Sequence, residues 1–452
     1  NTTVINARKA VRSYDARNRL KTLTFPGDGL GNQTWTYWPD GLPNTVTTRN
    51  DTAGAQQTIN SYTYNRRRLP TRETLKFGTV LTWPVDYVYN GSGHLASLNW
   101  HGLSVNYAPN ALGQPTQAGS YATGVTYHPN GSIKTLVYGN GISHRTDQNV
   151  RQLPERIVDF RGSSLKYLDD YYDYDQNGNV LAISDALPGN HGNRTMTYDG
   201  LDRLTKVVSG NGASNPMFGT ATYTYDLLDN LTRVNVTGGN QARNHYYCYN
   251  NQWRMDFVRS GSACTGTASP ALVTLDYDLQ GNVKKRNNRD YVFDFGNRLR
   301  STTNPTSNYA YDGHGRRVLD QVGAGKKYTH YLQDGRLSMT ADERKGKVAE
   351  YIYLQSRLVA IRERDVATNV YTTKYHHVDA LGSPVVITDQ SRGELERTDY
   401  EPYGKPSNRA WRDGPAYTGH VEDAATGLSY MQQRYYDPQI GLFLSVDPVT
   451  AY

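Results

Sequence analysis

A short unit centred on Tyr-Asp or Tyr-Asn recurs along almost the whole chain and constrains its fold more than any other feature. Each copy has alternating Tyr or β-branched residues, then Asp or Asn, a turn rich in Gly, Asn or Arg, and an aliphatic residue. Alternation with period two places the tyrosines on one face of a strand, and Asp and Gly suit the turn that follows. Clear copies lie at 87–95, 125–133, 172–180, 196–204, 223–231, 275–283 and 309–317. Each copy therefore predicts a β-hairpin.

The spacing of the copies predicts how the hairpins assemble. Equivalent tyrosines are 18 residues apart between Tyr89 and Tyr107, and 27 apart between Tyr198 and Tyr225. Such irregular and short steps do not suit the blades of a propeller. A single hairpin is marginally stable in water, so each unit must pair with its neighbours. We therefore expect one continuous antiparallel sheet with little helix.

Composition agrees with a thin sheet. The chain has 37 Tyr against 8 Phe, and 37% of its residues are hydrophobic. A compact globule normally carries roughly 45–50% apolar residues. Tyrosine supplies a large packing face while its hydroxyl stays hydrogen-bonded, so both faces of the sheet can be partly exposed to water.

Charge and hydropathy exclude several partners. The net charge of +7 is spread over 452 residues, and the one basic run, Arg66-Arg67-Arg68, fits a solvated hairpin. We therefore predict no specific nucleic-acid partner. The sequence contains no run of about 18 apolar residues, so it predicts no membrane span. The first residues show no targeting signal, and we expect the chain to begin inside a larger protein.

The C-terminal part carries more specific motifs than the repeats. They are Tyr375-His376-His377-Val378-Asp379-Ala380-Leu381-Gly382-Ser383-Pro384, Tyr400-Glu401-Pro402-Tyr403-Gly404, Tyr417-Thr418-Gly419-His420, Gly427-Leu428-Ser429-Tyr430 and Arg434-Tyr435-Tyr436-Asp437-Pro438. With the repeats, they resemble the RHS or YD-repeat family and its RHS-associated core region. The resemblance implies an all-β fold in which long antiparallel β-hairpin repeats spiral into a hollow shell with a terminal cap or plug. It also implies two domains, a repeat shell at 1–373 and the core region at 374–452.

The same resemblance implies a function and a location. Such shells enclose a C-terminal toxin domain until delivery, so the implied partners are that domain, outside this chain, and secretion or delivery proteins. The implied location is secreted or cell-surface, as part of a larger bacterial protein. Two other functions stay open: a cell-surface adhesion or carbohydrate-binding protein, and a protease whose main activity is cutting itself.

One candidate catalytic residue follows from the resemblance. Family members of the toxin-complex and type VI-linked kinds cut themselves with two Asp-Pro-x-Gly-type motifs. Asp447-Pro448-Val449-Thr450 aligns with the first motif, with Thr450 in place of its glycine, and the second motif is expected beyond Tyr452. Asp447 would then be half of an Asp dyad, and no activity is expected of this chain alone. Asp447 could equally serve only to cap the Asp-Pro turn.

Other residues are assigned structural roles. Arg434, Asp437, Pro438 and Gly441, together with Pro448, are expected to build the architecture of the C-terminal end.

The remaining candidates concern cysteine and metal chemistry. Cys248 and Cys264 are compatible with one disulfide in an exported protein, and two buried thiols are the alternative. Adjacent histidines on a strand point to opposite faces, so His376-His377 does not indicate a metal site. No cofactor is predicted.

Overall fold

The computed structural model describes residues 9–27, 29–210, 216–239, 241–261, 263–264 and 270–447. Within these ranges the chain is almost entirely β-structure, and its one helical element is a 3-10 turn at Tyr417–Gly419. The predicted all-β class is confirmed.

The described strands form three antiparallel sheets in which each strand pairs with the next one along the chain. The first sheet contains β1 (Val11–Tyr14), β2 (Leu20–Thr24), β3 (Gln33–Tyr37), β4 (Pro43–Arg49), β5 (Gln57–Tyr64), β6 (Pro70–Phe77), β7 (Leu81–Tyr89), β8 (Leu95–Trp100) and β9 (Leu103–Asn106).

The second and largest sheet holds 25 strands in sequence order. They are β10 (Ala122–Tyr127), β11 (Ile133–Tyr138), β12 (Ser143–Gln148), β13 (Pro154–Arg161), β14 (Leu165–Tyr174), β15 (Val180–Asp185), β16 (Arg194–Tyr198), β17 (Leu204–Ser209), β18 (Thr220–Tyr225), β19 (Leu231–Thr237), β20 (Arg243–Tyr249), β21 (Met255–Ser260), β22 (Ala271–Tyr277), β23 (Val283–Arg286), β24 (Arg289–Phe293), β25 (Leu299–Thr302), β26 (Ser307–Tyr311), β27 (Arg317–Val322), β28 (Gly325–Tyr331), β29 (Leu337–Asp342), β30 (Lys347–Leu354), β31 (Arg357–Asp365), β32 (Tyr371–Val378), β33 (Pro384–Thr388) and β34 (Glu394–Arg397).

A third sheet of five short strands lies near the C-terminus. It contains β35 (Gly414–Pro415), β36 (Val421–Asp423), β37 (Leu428–Met431), β38 (Arg434–Asp437) and β39 (Leu442–Phe443).

The hairpin between β18 and β19 shows why the Tyr-Asp pair recurs. The Asp226 carboxylate accepts the backbone N–H groups of Leu228 at 2.8 Å and Asn230 at 2.9 Å, which caps the turn. The Tyr225 hydroxyl donates to the Leu204 carbonyl at 2.8 Å, in the preceding hairpin. The aspartate thus closes its own hairpin, and the tyrosine ties that hairpin to its neighbour.

The same tyrosine bond repeats along both large sheets. Equivalent hydroxyl-to-carbonyl bonds to the preceding unit run from Tyr37 to Leu20, Tyr127 to Pro115, Tyr174 to Pro154, Tyr198 to Val180, Tyr249 to Leu231, Tyr277 to Met255 and Tyr311 to Leu299. Phenylalanine has no hydroxyl to make this bond, which explains the excess of Tyr over Phe.

The first sheet packs against later strands of the second sheet, so early residues contact residues some 250 positions later. The Asn50 side-chain amide donates to the Tyr311 carbonyl at 2.8 Å, across a separation of 261 residues. The Gln333 backbone N–H donates to the Glu73 carboxylate at 2.9 Å, across 260 residues. Buried apolar residues fill the space between these layers, from Leu75 on β6 to Tyr375 on β32.

A second apolar cluster joins the third sheet to the second sheet. It combines residues of β17–β31 with residues of the C-terminal segment such as Leu428 and Tyr435. The first and second sheets therefore pack against each other, and the third sheet packs against strands of the second.

The domain boundary predicted at 373/374 falls inside β32, which pairs with β31 on one side and β33 on the other. By strand pairing, the separate C-terminal element begins with β35. The division into two domains stays a prediction.

Candidate functional site at the C-terminal segment

Residues 398–447, called here the terminal segment, are held against the repeat sheet by several ion pairs, three of which have carboxylates no more than 4% exposed. The most buried joins Arg317 of β27 to Asp423 of β36. Two guanidinium nitrogens of Arg317 lie 2.5 and 2.7 Å from the Asp423 carboxylate oxygens, and the two side chains are 2% and 4% exposed. Burial disfavours the charged guanidinium, yet the Asp423 carboxylate holds the pKa of Arg317 well above its usual value.

Aromatic side chains of the terminal segment complete the Arg317 site. The Tyr430 hydroxyl accepts the Arg317 backbone N–H at 2.6 Å, and the guanidinium lies 4.5 Å from the centre of the Tyr430 ring. The Tyr435 hydroxyl accepts a further guanidinium bond at 3.2 Å. The paired carboxylate, the hydrogen bonds and the ring contact offset part of the cost of burying the Arg317 charge.

The second ion pair involves Asp437, one of the residues predicted to be architectural. Its carboxylate lies 2.8 Å from Nε of Arg286, and it also accepts the Gln439 backbone N–H at 3.0 Å. Burial raises the pKa of Asp437, and the nearby Arg286 opposes that shift. The turn continues through Pro438 to Gly441, whose N–H donates to the Asp437 carbonyl at 2.8 Å and whose φ is +69°.

The third ion pair ties the start of the terminal segment to β20. The Glu401 carboxylate, 4% exposed, pairs with the Arg243 guanidinium, with one N–H···O contact at 3.0 Å. Burial acts to lower the pKa of Arg243, but the hydrogen bond and the charge of Glu401, with nearby tyrosines, raise it overall. Arg243, Arg286 and Arg317 were not singled out from the sequence, because nothing near them in the chain indicates partners more than 100 residues away.

The candidate catalytic residue Asp447 lies at the C-terminal edge of the described chain. The Leu444 carbonyl accepts the Val283 N–H at 2.7 Å, and the Val446 N–H donates to the Asn282 side chain at 3.3 Å, so β23 and the turn before it hold this end. The Asp447 carboxylate lies 3.2 Å from the Arg434 guanidinium and is 53% exposed.

Arg434 is placed by its neighbours as well as by Asp447. Its guanidinium lies 3.8 Å from the centre of the Phe443 ring. The arrangement presents the Asp447 carboxylate to solvent on a fixed segment, so it is accessible to a further group. Pro448, also assigned a structural role, lies outside the described residues.

The two cysteines lie on neighbouring elements. Cys248 is in β20, Cys264 is in the connection after β21, and the structure joins them in a disulfide with a Cα–Cα distance of 5.5 Å.

His377, the second of the two adjacent histidines, belongs to a buried hydrogen-bonded cluster. His377 lies fully buried with Nδ1 2.7 Å from Asp159, and Asp159 also bonds Nδ1 of His144 at 2.5 Å. Burial would raise the pKa of Asp159, but the two imidazoles lower it overall. No group of three or more His, Cys, Asp or Glu side chains in the described ranges could hold a metal ion. Over the same ranges, no helix has the length and apolar character needed to span a membrane.

Sequence comparison finds similarity to a shell family and to toxin proteins. The sequence profile of the family described as Teneurin YD-shell matches residues 217–451. The tRNA3(Ser)-specific nuclease WapA of Bacillus spizizenii is 26% identical over 359 residues, which cover 70% of this chain and 15% of that protein. The double-stranded DNA deaminase toxin A of Burkholderia cenocepacia is 27% identical over 170 residues, 31% of this chain and 12% of that protein. The chain thus corresponds to a small part of each relative.

Solved structures show the same fold. TcdB2-TccC3 without its hypervariable C-terminal region matches with a TM-score of 0.72 at 17% identity, over 98% of this chain and 26% of that one. The Photorhabdus luminescens Tc holotoxin pore matches with a TM-score of 0.68 at 16% identity, over 98% of this chain and 26% of that one. The match over nearly the whole chain supports the layered β-fold described above.

Proposed function

This chain belongs to the teneurin YD-shell family, and we propose that it forms the wall and the closing end of a shell that encloses a toxic domain until delivery. The observation that carries the proposal is the anchoring of the terminal segment to the repeat sheet by three buried or partly buried ion pairs. These ion pairs join the terminal segment to β20, β23 and β27, so one segment holds separate strands of the wall together.

The relatives support a toxic cargo. The two described above are named as a nuclease and as a deaminase toxin, and each is several times longer than the part matched by this chain. A cell-surface adhesion or carbohydrate-binding role is not favoured, because neither relative is named for such binding. The partner we propose is a toxin domain that follows the terminal segment in the same polypeptide.

Location and delivery follow from the same proposal. A toxin that acts on another cell must leave the cell that makes it, so we propose a secreted or cell-surface protein. Secretion or delivery proteins would then be further partners.

Release of the cargo would require a cut after the terminal segment. Two carboxylates that share one proton can activate water and polarise a peptide carbonyl. We propose that Asp447 supplies one of them and that a second Asp-Pro motif beyond residue 452 supplies the other. The exposure of the Asp447 carboxylate leaves room for that partner.

Protection from protease tests the enclosure. In the full-length polypeptide, the C-terminal domain should resist a protease that rapidly digests the same domain produced alone. The shell should exclude the protease because it is closed by the terminal segment. Equal digestion rates for the enclosed and the separate domain would refute the proposed function.

A separate substitution tests the cut. Asp447→Asn in the full-length polypeptide should abolish release of the C-terminal piece on a denaturing gel and leave the fold unchanged, because the amide retains an oxygen for the turn. The matched control is Asp173→Asn on the exposed part of β14, which should release normally. Release by Asp447→Asn at the wild-type rate would show that Asp447 is only a turn residue.

A further inference from the structure

A cavity of about 300 Å³ lies where strands β14 to β16 meet the start of the terminal segment. Its lining includes Asp170 of β14, Arg194 of β16, Asp379 in the turn after β32 and Asp399 of the terminal segment. Nε2 of His191, in the connection between β15 and β16, lies 2.6 Å from the Asp399 carboxylate, across a separation of 208 residues. Small-molecule sites typically have volumes of roughly 300–1,000 Å³, so this cavity is large enough for a small ligand.

Three carboxylates of this lining lie close together. Asp170 and Asp185 are directly opposite each other in the pair formed by β14 and β15, so both side chains are on one face of the sheet. Like charges in this arrangement destabilise a sheet. The Asp185 carboxylate accepts the Gly192 backbone N–H at 2.9 Å, and the Asp379 carboxylate accepts that of Ser383 at 2.8 Å. These two aspartates therefore hold local turns.

Asp170 has no such local contact. It is 7% exposed, and no N–H or O–H group in the described part of the chain donates to its carboxylate. Burial raises the pKa of Asp170 to about 7, the charges of Asp185 and Asp379 reinforce this shift, and Arg194 opposes it. A buried carboxylate without a donor is costly, so a donor supplied by a ligand would stabilise it.

The cationic side chains that line the cavity do not supply this donor. The Arg194 guanidinium donates to a backbone carbonyl at 2.9 Å and to the Met217 sulfur at 3.3 Å. Lys166 and Arg397 each pair with an acidic residue three positions away in the chain. The negative charge around Asp170 therefore exceeds the positive charge available to it, which favours a cationic ligand.

We propose that this cavity binds an alkyl chain that ends in a primary ammonium group, with the ammonium bonded to Asp170. An ammonium group carries a positive charge and three N–H donors, so it would satisfy the carboxylate and offset its repulsion by Asp185. The alkyl chain would contact the apolar part of the lining, which consists of Leu168, Leu187, Pro188, Met217 and Val385.

The proposal goes beyond the proposed function, because neither the three anchoring ion pairs nor the cut at Asp447 involves Asp170. Two sources share the ligand chemistry, namely the lysine side chain of a polypeptide and a free alkyl diamine. The two sources can be distinguished by the probes used to measure binding.

Calorimetric titration of the 452-residue chain tests the site. The probes are cadaverine and Nα-acetyl-lysine methylamide at about pH 8, where Asp170 is mostly ionised and the amines keep their proton. At least one probe should bind saturably. Tighter binding of the lysine derivative would assign the site to a lysine side chain, and tighter binding of cadaverine would assign it to a free diamine. Nα-acetyl-norleucine methylamide has no ammonium group and should not bind.

Asp170→Asn tests the residue that carries the proposal. The variant should bind the amines at least about ten-fold more weakly, because it removes the charge that pairs with the ammonium. It should fold, since a neutral amide removes the repulsion by Asp185, and thermal unfolding without ligand checks this. The matched control is Asp173→Asn, on the exposed part of the same strand, which should bind like the wild type.

Three results would overturn the proposal. One is the absence of saturable binding of both amines to the wild-type chain, a measurement that does not depend on any variant. Another is equal affinity of the wild type and Asp170→Asn for the amines. The third is binding of the norleucine derivative as tight as that of the lysine derivative, which would show that the ammonium group is not recognised.

Discussion

Aspartates in the repeats make local contacts, whereas aspartates in the terminal segment make long-range contacts. Asp226 bonds backbone groups two and four residues away, and it closes one hairpin. Asp423 pairs with Arg317, 106 residues away, and fixes one sheet against another. The first kind of contact forms each unit of the wall, whereas the second kind determines how the wall closes. We therefore expect the long-range, buried contacts to dominate stability, and the following predictions test that ranking.

The largest effect is expected from breaking the buried pair of Arg317 and Asp423. Arg317→Ala leaves a buried carboxylate without its partner, which should lower the free energy of unfolding by about 3–5 kcal/mol. Urea unfolding of the purified chain measures this loss. Limited proteolysis should also cut first within the terminal segment, because its strongest anchor is gone.

An exposed pair provides the control for Arg317→Ala. Arg72 and Asp86 lie 2.5 Å apart with side chains 54% and 39% exposed, so Arg72→Ala should cost less than about 1 kcal/mol. Equal losses of unfolding free energy for Arg317→Ala and Arg72→Ala would contradict the distinction between contacts within the repeat sheets and contacts that fix the terminal segment.

This distinction also explains what could be predicted from the sequence. The hairpins and their turns were predictable, because Tyr225, Asp226 and their equivalents act through bonds to nearby backbone. The wrapping of layers was implied only by resemblance, and the partners of Arg243 and Arg317 were missed. Such pairs depend on where distant strands meet in space, and no local pattern encodes that.

Glu73 accepts the Gln333 backbone N–H from the facing sheet, and this buried carboxyl should make stability depend on pH. Burial raises the pKa of this carboxyl from 4.5 to about 7, against the hydrogen bonds from Tyr87 and Gln333. Between these two pH values the folded chain binds more protons than the unfolded chain, so stability should fall as pH rises through the window. The loss should reach about 3 kcal/mol above pH 7.

Glu73→Gln should remove the contribution of Glu73 to this pH dependence, because an amide does not titrate, whereas Asp170, whose pKa burial raises to about 7, keeps its own contribution. Urea unfolding from about pH 4.5 to about pH 7.5 should give a flatter profile for the variant than for the wild type. Glu394→Gln, at an exposed pair with Arg397, should keep the wild-type profile. The same slope in Glu73→Gln and wild type would show that another group causes the dependence.

The disulfide is a contact between residues at an intermediate separation in the sequence, and its removal should have an intermediate effect on stability. Cys248 and Cys264 are 16 residues apart, and a loop of that size predicts a loss of roughly 3 kcal/mol for Cys264→Ser. Alkylation of the native protein before and after reduction checks the bond itself. Two thiols that react without reductant, after denaturation, would establish the alternative of two buried thiols.

The smallest effect is expected at Asp447. Its carboxylate pairs with the partly exposed Arg434, and an exposed pair contributes little because water screens it. Asp447→Asn in the 452-residue chain should therefore change the free energy of unfolding by less than about 1 kcal/mol. A loss of unfolding free energy as large as that of Arg317→Ala would show that Asp447, like Arg317, fixes the terminal segment to the repeat sheet. A negligible loss, combined with failed release in the full-length protein, would instead separate the chemistry of Asp447 from the architecture that carries it.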